Sequence, residues 1–410
     1  EARLAVQALN FPPTPKGPFL VATPSIRHFD GRSKPLPLLH EIPEPLTVVS
    51  YGDNMVLSMD DGNAMGIEDG SIVKVATDNG DVELPVRLLP FLDKGTAAVS
   101  IANLAGFQWP HDAKGRWSPV IPAQAFESTG QKKTLAVLSG SLNAKGRGVF
   151  PHDSAFEHSV TDHRTLYPDN VHPTYRWGLS VDLDKCIGCG ACVGACYVEN
   201  NLPMTGEEEH IKGREISWMR IETFYDYSPN QPLFLPFMCQ QCDNAPCEPV
   251  CPVYATMHSP EGLNTQVYNR CVGTRYCSNN CPYKARRFNW FEYEWPEPLD
   301  KMLNPDLSKR PSGVMEKCTF CIQRIRAGKD HAKDENRLAN DGDITTACAQ
   351  TCPTQAIVFG NLKSTEAKVF EKAFGETEAP RRYRVLEDIG TEPAVYYLKD
   401  RKQGGHNHDH

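Results

Sequence analysis

Residues 82–90, VELPVRLLP, alternate in character. Val82, Leu84, Val86 and Leu88 fall on one face, and Glu83 and Arg87 on the other. A period of two marks a half-buried strand. SIVKVAT before it is rich in β-branched residues, and DNGD between the two is a hairpin turn signal. Further upstream, MDDGNAMGIEDG reads as a short helix closed by a glycine turn. These elements predict a small β-barrel over residues 46–110. Residues 1–45 are Pro-rich and without period, which predicts an extended surface segment. Residues 111–175 carry turns, scattered aromatics, His and Pro, and read as a long connection. The cysteines then mark a domain over 176–362. STEAKVFEKAF predicts a helix in the extension 363–410, which ends in the polar tail QGGHNHDH. The fold class expected is α+β/β: a small barrel, then a double ferredoxin-like iron–sulfur domain with long irregular connections.

Composition narrows the function classes. No run of about 18 apolar residues occurs, so no span of a bilayer is expected. A net charge of −8 and the absence of a basic run argue against nucleic acid. The chain opens EARLAV, without Met or a charged-then-apolar leader, which is read as a longer or processed polypeptide that has lost its front end.

Cysteine placement is the strongest signal. All fifteen cysteines lie between residues 186 and 352. Cys186, Cys189, Cys192 and Cys196 form the first group, spaced C-x2-C-x2-C-x3-C. Cys239, Cys242, Cys247 and Cys251 form the second. The third holds Cys271, Cys277 and Cys281, and the fourth Cys318, Cys321, Cys348 and Cys352. A cubane iron–sulfur cluster needs thiolates converging on one compact object. Two-residue gaps, with Gly188 and Gly190 allowing tight curvature, let one loop wrap three corners. In two-cluster ferredoxins the fourth cysteine of such a run serves the other cluster, so runs come in pairs. Structural zinc could use the CxxC pairs, but zinc closes with four ligands on two knuckles, and the first group crowds in a third thiolate. An odd count excludes complete disulfide pairing.

The third group has Thr274 where a cysteine would restore the spacing. A hydroxyl is a poor iron ligand beside a thiolate, and a cubane with one unprotected corner tends to lose that iron. A [3Fe–4S] cluster is the expected product; a four-iron cluster carrying hydroxyl or water there is the alternative. Arg275, Lys284, Arg286 and Arg287 surround this group and either offset the charge of cluster and thiolates or form a solvated or docking face. Sequence order leaves the pairing of the four groups open.

Residues 176–362, with DLDKCIGCGACVGAC, PFMCQQCDNAPCEPVCP, CPYKARRFNW, EKCTFC and CAQTCPTQAIVFG, resemble the four-cluster ferredoxin subunits of quinone-linked, molybdopterin-type membrane complexes. The resemblance implies a nested pairing. Cys186, Cys189, Cys192 and Cys352 would hold one [4Fe–4S] cluster, and Cys318, Cys321, Cys348 and Cys196 a second. Cys239, Cys242, Cys247 and Cys281 would hold a third. Cys271, Cys277 and Cys251 would hold the [3Fe–4S] cluster, with Thr274 at the vacant corner. It also implies that this last cluster lies closest to a membrane quinone subunit. Cys196 is followed by Tyr197 where proline often stands in that family.

AMGIEDGSIVKVATDNGDVELPVRLLP looks like the C-terminal β-barrel of molybdopterin oxidoreductases, the molybdopterin-dinucleotide-binding type. The combination is similar to the large iron–sulfur subunit of alternative complex III. That resemblance implies electron transfer from menaquinol to a haem acceptor, no bound molybdopterin and no catalytic residue in this chain. The partners implied are NrfD-like integral membrane quinol-binding subunits and multihaem and monohaem cytochromes c, at the periplasmic face of the cytoplasmic membrane. The competing readings are the electron-transfer part of a molybdenum enzyme of the dimethyl sulfoxide or polysulfide reductase type, and a non-redox scaffold. His406, His408 and His410 could bind a metal, but a disordered tail is the favoured reading.

Overall fold

The computed structural model describes residues 17–104, 118–138, 142–144, 149, 168, 170–225 and 232–399. The chain divides into two compact units: Glu1–Pro35 with Gly52–Leu135, and Leu36–Tyr51 with Ala136–His410. The histidine tail falls outside the described residues.

The first unit is a closed barrel of six strands in the order β1-β5-β2-β4-β3-β6. They are β1 Phe19–Thr23, β2 Met55–Ser58, β3 Ser71–Thr77, β4 Val82–Leu89, β5 Thr96–Ser100 and β6 Val120–Lys132. β3 and β4 pair antiparallel across the DNGD turn, as the pattern predicts. Pairing of β1 with β5, and of β2 with β4, is parallel. Closure leaves no free sheet edge. Leu20, Met55, Leu57, Val73, Val75 and Val86 fill the interior.

The helix read in MDDGNAM is present. It is α2, Met59–Met65, and α1, Pro37–Glu41, precedes it in the chain. Ser58 caps α2 by accepting from the Asp61 amide, and Gly66 ends it with φ 63°. The alternation in β4 holds at Val82 and Val86 but not at Arg87, which is buried and pairs with Asp69. The barrel also takes in more chain than the alternating pattern marks. β1 comes from the Pro-rich segment and β6 from the long connection, because FLVAT and VIPAQA supply the two strands that close the ring.

The second unit is built around a four-stranded sheet. Its strands are β7 Trp177–Asp182, β14 Ile357–Asn361, β15 Arg382–Tyr383 and β16 Val395–Leu398, in the order β14-β7-β16-β15. Every residue of β7 is buried. The limit drawn at residue 362 therefore falls inside the unit. VYYL of β16 lies parallel to β7, and Tyr397 is fully buried, donating to the Pro236 carbonyl at 3.0 Å. Three short ribbons complete the strands. They are β8 Arg220–Phe224 with β9 Leu233–Phe237, β10 Thr256–His258 with β11 Asn264–Gln266, and β12 Arg287–Phe288 with β13 Met315–Glu316. The helices are α3 Ala191–Glu199, α4 Glu207–Ile211, α5 Tyr276–Asn279, α6 Ile322–Asp334, α7 Ala347–Thr351 and α8 Lys368–Phe374. The last is the helix read in STEAKVFEKAF.

Residues 36–51, read as the end of an extended segment and the start of the barrel, belong to this second unit. Glu41 fastens them: its carboxylate is buried and accepts from Tyr51 Oη at 2.5 Å and the Gly206 amide at 3.0 Å, with His210 Nε2 at 2.8 Å. Thr223 and Tyr225 of the β8 region donate to the Pro45 and Leu46 carbonyls.

Candidate iron–sulfur centres

Each of the four cysteine groups opens with the same backbone turn. The residue two places after the first cysteine is left-handed in all of them: Gly188 (φ 68°), Gln241 (φ 49°), Gly273 (φ 72°) and Phe320 (φ 54°). This φ costs glycine little and other residues on the order of 1 kcal/mol or more. Gln241 withstands the strain because it is buried, donating through Nε2 to the Cys318 carbonyl at 2.8 Å and accepting from the Asn264 amide at 2.9 Å. Phe320 is anchored by burial against Phe359. At Gly273 a Cβ would stand 2.4 Å from the Gly313 carbonyl oxygen. The third group thus shares the turn of the others, with Thr274 one residue past it.

A second turn recurs where Cys is followed by Pro-x-x-Ala. Tyr254, Lys284 and Gln355, each three residues past a cysteine, have φ of 51°, 50° and 53°. The turn aims the next amide back at sulfur: Ala255 N donates to Cys251 Sγ, and Ala356 N to Cys352 Sγ, both at 3.2 Å. Burial would raise these two thiols, but amides outweigh it and hold both below the usual range, with the Thr354 hydroxyl helping at Cys352. Cys196 lacks the proline, so α3 runs on through Tyr197, and Asn200 Nδ2 donates to Cys196 Sγ at 3.5 Å instead.

These turns gather the thiols around cavities. Cys196, Cys318, Cys321 and Cys348 line one. Cys239, Cys242, Cys247 and Cys281 line a second. Cys251, Cys271, Cys277 and Thr274 line a third. Cys186 lies near enough to Cys189 and Cys352 for their charges to act on it, and Cys192 near enough to all three. Neighbouring groups lie close enough for charge to act between them: Cys192 feels Cys348, and Cys318 feels Cys239. Among the described residues no group of three or more His, Cys, Asp or Glu side chains is arranged to hold a single metal ion.

Burial pushes the thiols of Cys192, Cys196, Cys242 and Cys318 well up, those of Cys186 and Cys247 to about 11 and that of Cys321 to about 12. As thiolates so placed, these seven require positive charge in the spaces they enclose. Iron supplies it, and amides aimed at sulfur are the usual second layer of such a site.

Two family models, each described as a 4Fe-4S dicluster domain, match residues 185–255 and 231–296. The iron–sulfur cluster-binding subunit of menaquinone reductase from Nitratidesulfovibrio vulgaris is 44% identical over 237 residues, covering 55% of this chain and 90% of that protein. A putative dimethyl sulfoxide reductase iron–sulfur subunit from Halobacterium salinarum is 34% identical over 238 residues, 56% of this chain and 81% of that protein. The Hdr-like menaquinol oxidoreductase iron–sulfur subunit 1 of Archaeoglobus fulgidus is 31% identical over 288 residues, 65% of this chain and 97% of that protein. The chain belongs to this family of 4Fe-4S iron–sulfur subunits.

Within this iron–sulfur protein the four basic residues near the third group separate into different roles. Arg287 is buried and paired with Glu215 at 2.7 Å, a structural ion pair. Arg275 is exposed, with its guanidinium 4.8 Å from the Trp290 ring centre and 5.1 Å from that of Phe288. Lys284 is exposed and donates to the Asn279 carbonyl at 3.3 Å. Arg286 alone reaches a sulfur, donating through Nη1 to Cys277 Sγ at 3.4 Å. Sequence inspection passed over Lys317, which is fully buried and donates to the Cys318 carbonyl at 3.0 Å. Its one signal was adjacency to a cysteine. Among the described residues no helix is long and apolar enough to cross a membrane.

Proposed function

We propose that this chain is the electron wire of a quinol-oxidising membrane complex of the alternative complex III type. Three [4Fe–4S] clusters and one [3Fe–4S] cluster would be held by the nested cysteine sets, with Thr274 at the vacant corner. Bound clusters supply one-electron chemistry; the chain itself spaces, insulates and grades them. An NrfD-like membrane subunit would deliver electrons from menaquinol, and haem groups of cytochrome c subunits at the periplasmic face would receive them. The barrel would then be the remnant of a molybdopterin-type domain that carries no cofactor.

The observation that carries this reading is the third cavity. Three cysteines from two separate groups share it with Thr274, on a backbone turn like those of the four-thiolate sites. Names of relatives that act on menaquinone or menaquinol add support for the quinone partner. EPR of the oxidised protein, wild type and Thr274→Cys, tests it. The expected result is a three-iron signal in the wild type that is lost in the variant, with a new four-iron signal on reduction. A wild type without a three-iron signal, or a variant that keeps it, overturns the assignment.

A second reading, the electron-transfer part of a molybdenum enzyme, is favoured by likeness to subunits of dimethyl sulfoxide and selenate reductases. Molybdenum or tungsten in the intact complex would decide for it.

A further inference from the structure

Five arginines are buried among the described residues: Arg87, Arg176, Arg220, Arg286 and Arg287. Four are paired with a carboxylate, namely Asp69, Asp243, Glu222 and Glu215 in that order. Arg286, 3% exposed, forms no such ion pair. Its Nη1 donates to Gln266 Oε1 at 2.8 Å and to Cys277 Sγ at 3.4 Å, and its Nη2 to Asn264 Oδ1 at 2.9 Å. Asn264 Oδ1 in turn lies 3.8 Å from Cys247 Sγ. The guanidinium therefore stands between the cavity of Cys251, Cys271 and Cys277 and the cavity of Cys239, Cys242, Cys247 and Cys281, which it also lines.

Lys317 repeats the pattern one residue before Cys318. It is fully buried, is in no ion pair among the described residues, and donates to the carbonyl of Cys318, a residue of the neighbouring cavity. Its charge still reaches Cys247. Removing a cation from water without a partner anion costs several kcal/mol. Carbonyl oxygens alone do not offset that for either side chain. The anions within reach are the thiolates, and the electrons that would be added to the sites they enclose.

We propose that Arg286 and Lys317 are the counter-charges of the buried cysteine sites: Arg286 is shared by the three-thiolate site and the Cys239/Cys242/Cys247/Cys281 site, and Lys317, beside Cys318, is shared by the latter and the Cys196/Cys318/Cys321/Cys348 site. Both act as positioning residues for charge, favouring the reduced state when one electron is added without any bond made or broken. The site they flank is held at a higher potential than its thiolates alone would give, so an electron leaving the three-thiolate site meets an acceptor biased to take it. This rests on the cluster assignment proposed above.

Potentiometric EPR titration of the full chain, poised with dithionite and ferricyanide, tests it alongside iron analysis. In Arg286→Gln the reduced-to-oxidised ratio at a fixed ambient potential falls about tenfold at both clusters, a shift of about 59 mV for one electron. Arg286→Lys restores most of it, because the charge is kept although the fork is lost. In Lys317→Met the fall appears at the clusters of Cys239 and Cys318 and spares the three-thiolate cluster. Full iron content with unmoved ratios in Arg286→Gln overturns the proposal. Should Arg286→Gln shed its iron, Lys317→Met decides: a selective fall supports the proposal, and no movement overturns it. A wild type lacking these cluster signals fails the functional reading instead, an outcome recognisable before any variant is compared.

Discussion

The barrel and the cysteine unit solve the same problem by different physics. In the barrel, strands of four to thirteen residues close on one another around Leu20, Met55, Leu57 and Val86, and aliphatic burial is the source of order. The cysteine unit has one buried sheet, but around its cavities the elements are fragments. β10 and β11 have three residues each, β12 and β13 two, and α5 four. Elements that short do not persist on their own propensity. Its core instead includes the thiols of Cys192, Cys196, Cys239, Cys242, Cys247, Cys277 and Cys281. Hydrophobic burial specifies the first unit; in the second it supplies the walls, and the thiol sites specify how the loops are laid between them.

The sharpest way to break this comparison is to take the iron away. Chelation under reducing conditions should abolish protection of the Cys239–Cys281 loops in hydrogen exchange, while β2, β4 and β5 of the barrel keep theirs. Retained protection in those loops would mean that apolar packing alone holds them. The converse perturbation is smaller. Leu57→Ala removes a fully buried side chain from the barrel core and should cost about 2–5 kcal/mol of that unit's stability. Cluster absorbance and EPR should be unchanged, and any loss of iron would show that the cysteine unit depends on the barrel's packing.

How much of each unit can be read in the sequence follows from the same contrast. The β3–β4 hairpin and the Gly-capped α2 are local features, written in DNGD and in Gly66, and they are where the pattern puts them. β1 and β6 carry prolines beside or within them and no clean alternation, and their place is set by pairing with strands far along the chain. Arg87 reads as solvent-facing until Asp69 is brought beside it. In the cysteine unit the ligand candidates are legible because metal spacing is a chemical constraint on neighbours. What lies behind them is not. Nothing in ARRF separates Arg286, just before β12 and aimed at sulfur, from Arg287, the first residue of β12, aimed at Glu215. Lys317 carries the residue type that most often signals surface. Gln241 and Phe320 adopt a backbone conformation that composition assigns to glycine, and only their buried contacts reveal why.

His258 gives the finest test, because it is a half-buried charge in the cysteine unit that follows ordinary ion-pair rules. Its Nδ1 lies 2.7 Å from Glu248 Oε1 and its Nε2 3.2 Å from Asp243 Oδ1. Asp243 also receives Arg176 and His172, each at 3.1 Å. Burial would lower the imidazole, but the two carboxylates outweigh it and raise it from 6.5 to about 9. A raised histidine stabilises the folded state fully below its unfolded value and loses that contribution as pH climbs through the folded value. Thermal stability should therefore decline between about pH 6.5 and pH 9, by several degrees. His258→Gln should lower the melting temperature near pH 6 and flatten the profile across that window. Unlike Arg286→Gln, it should leave cluster potentials in place well above pH 9, where the wild-type imidazole is neutral and the two proteins carry nearly the same charge. A profile equally steep in wild type and variant would assign the decline to the other groups around Asp243 and leave His258 a packing residue.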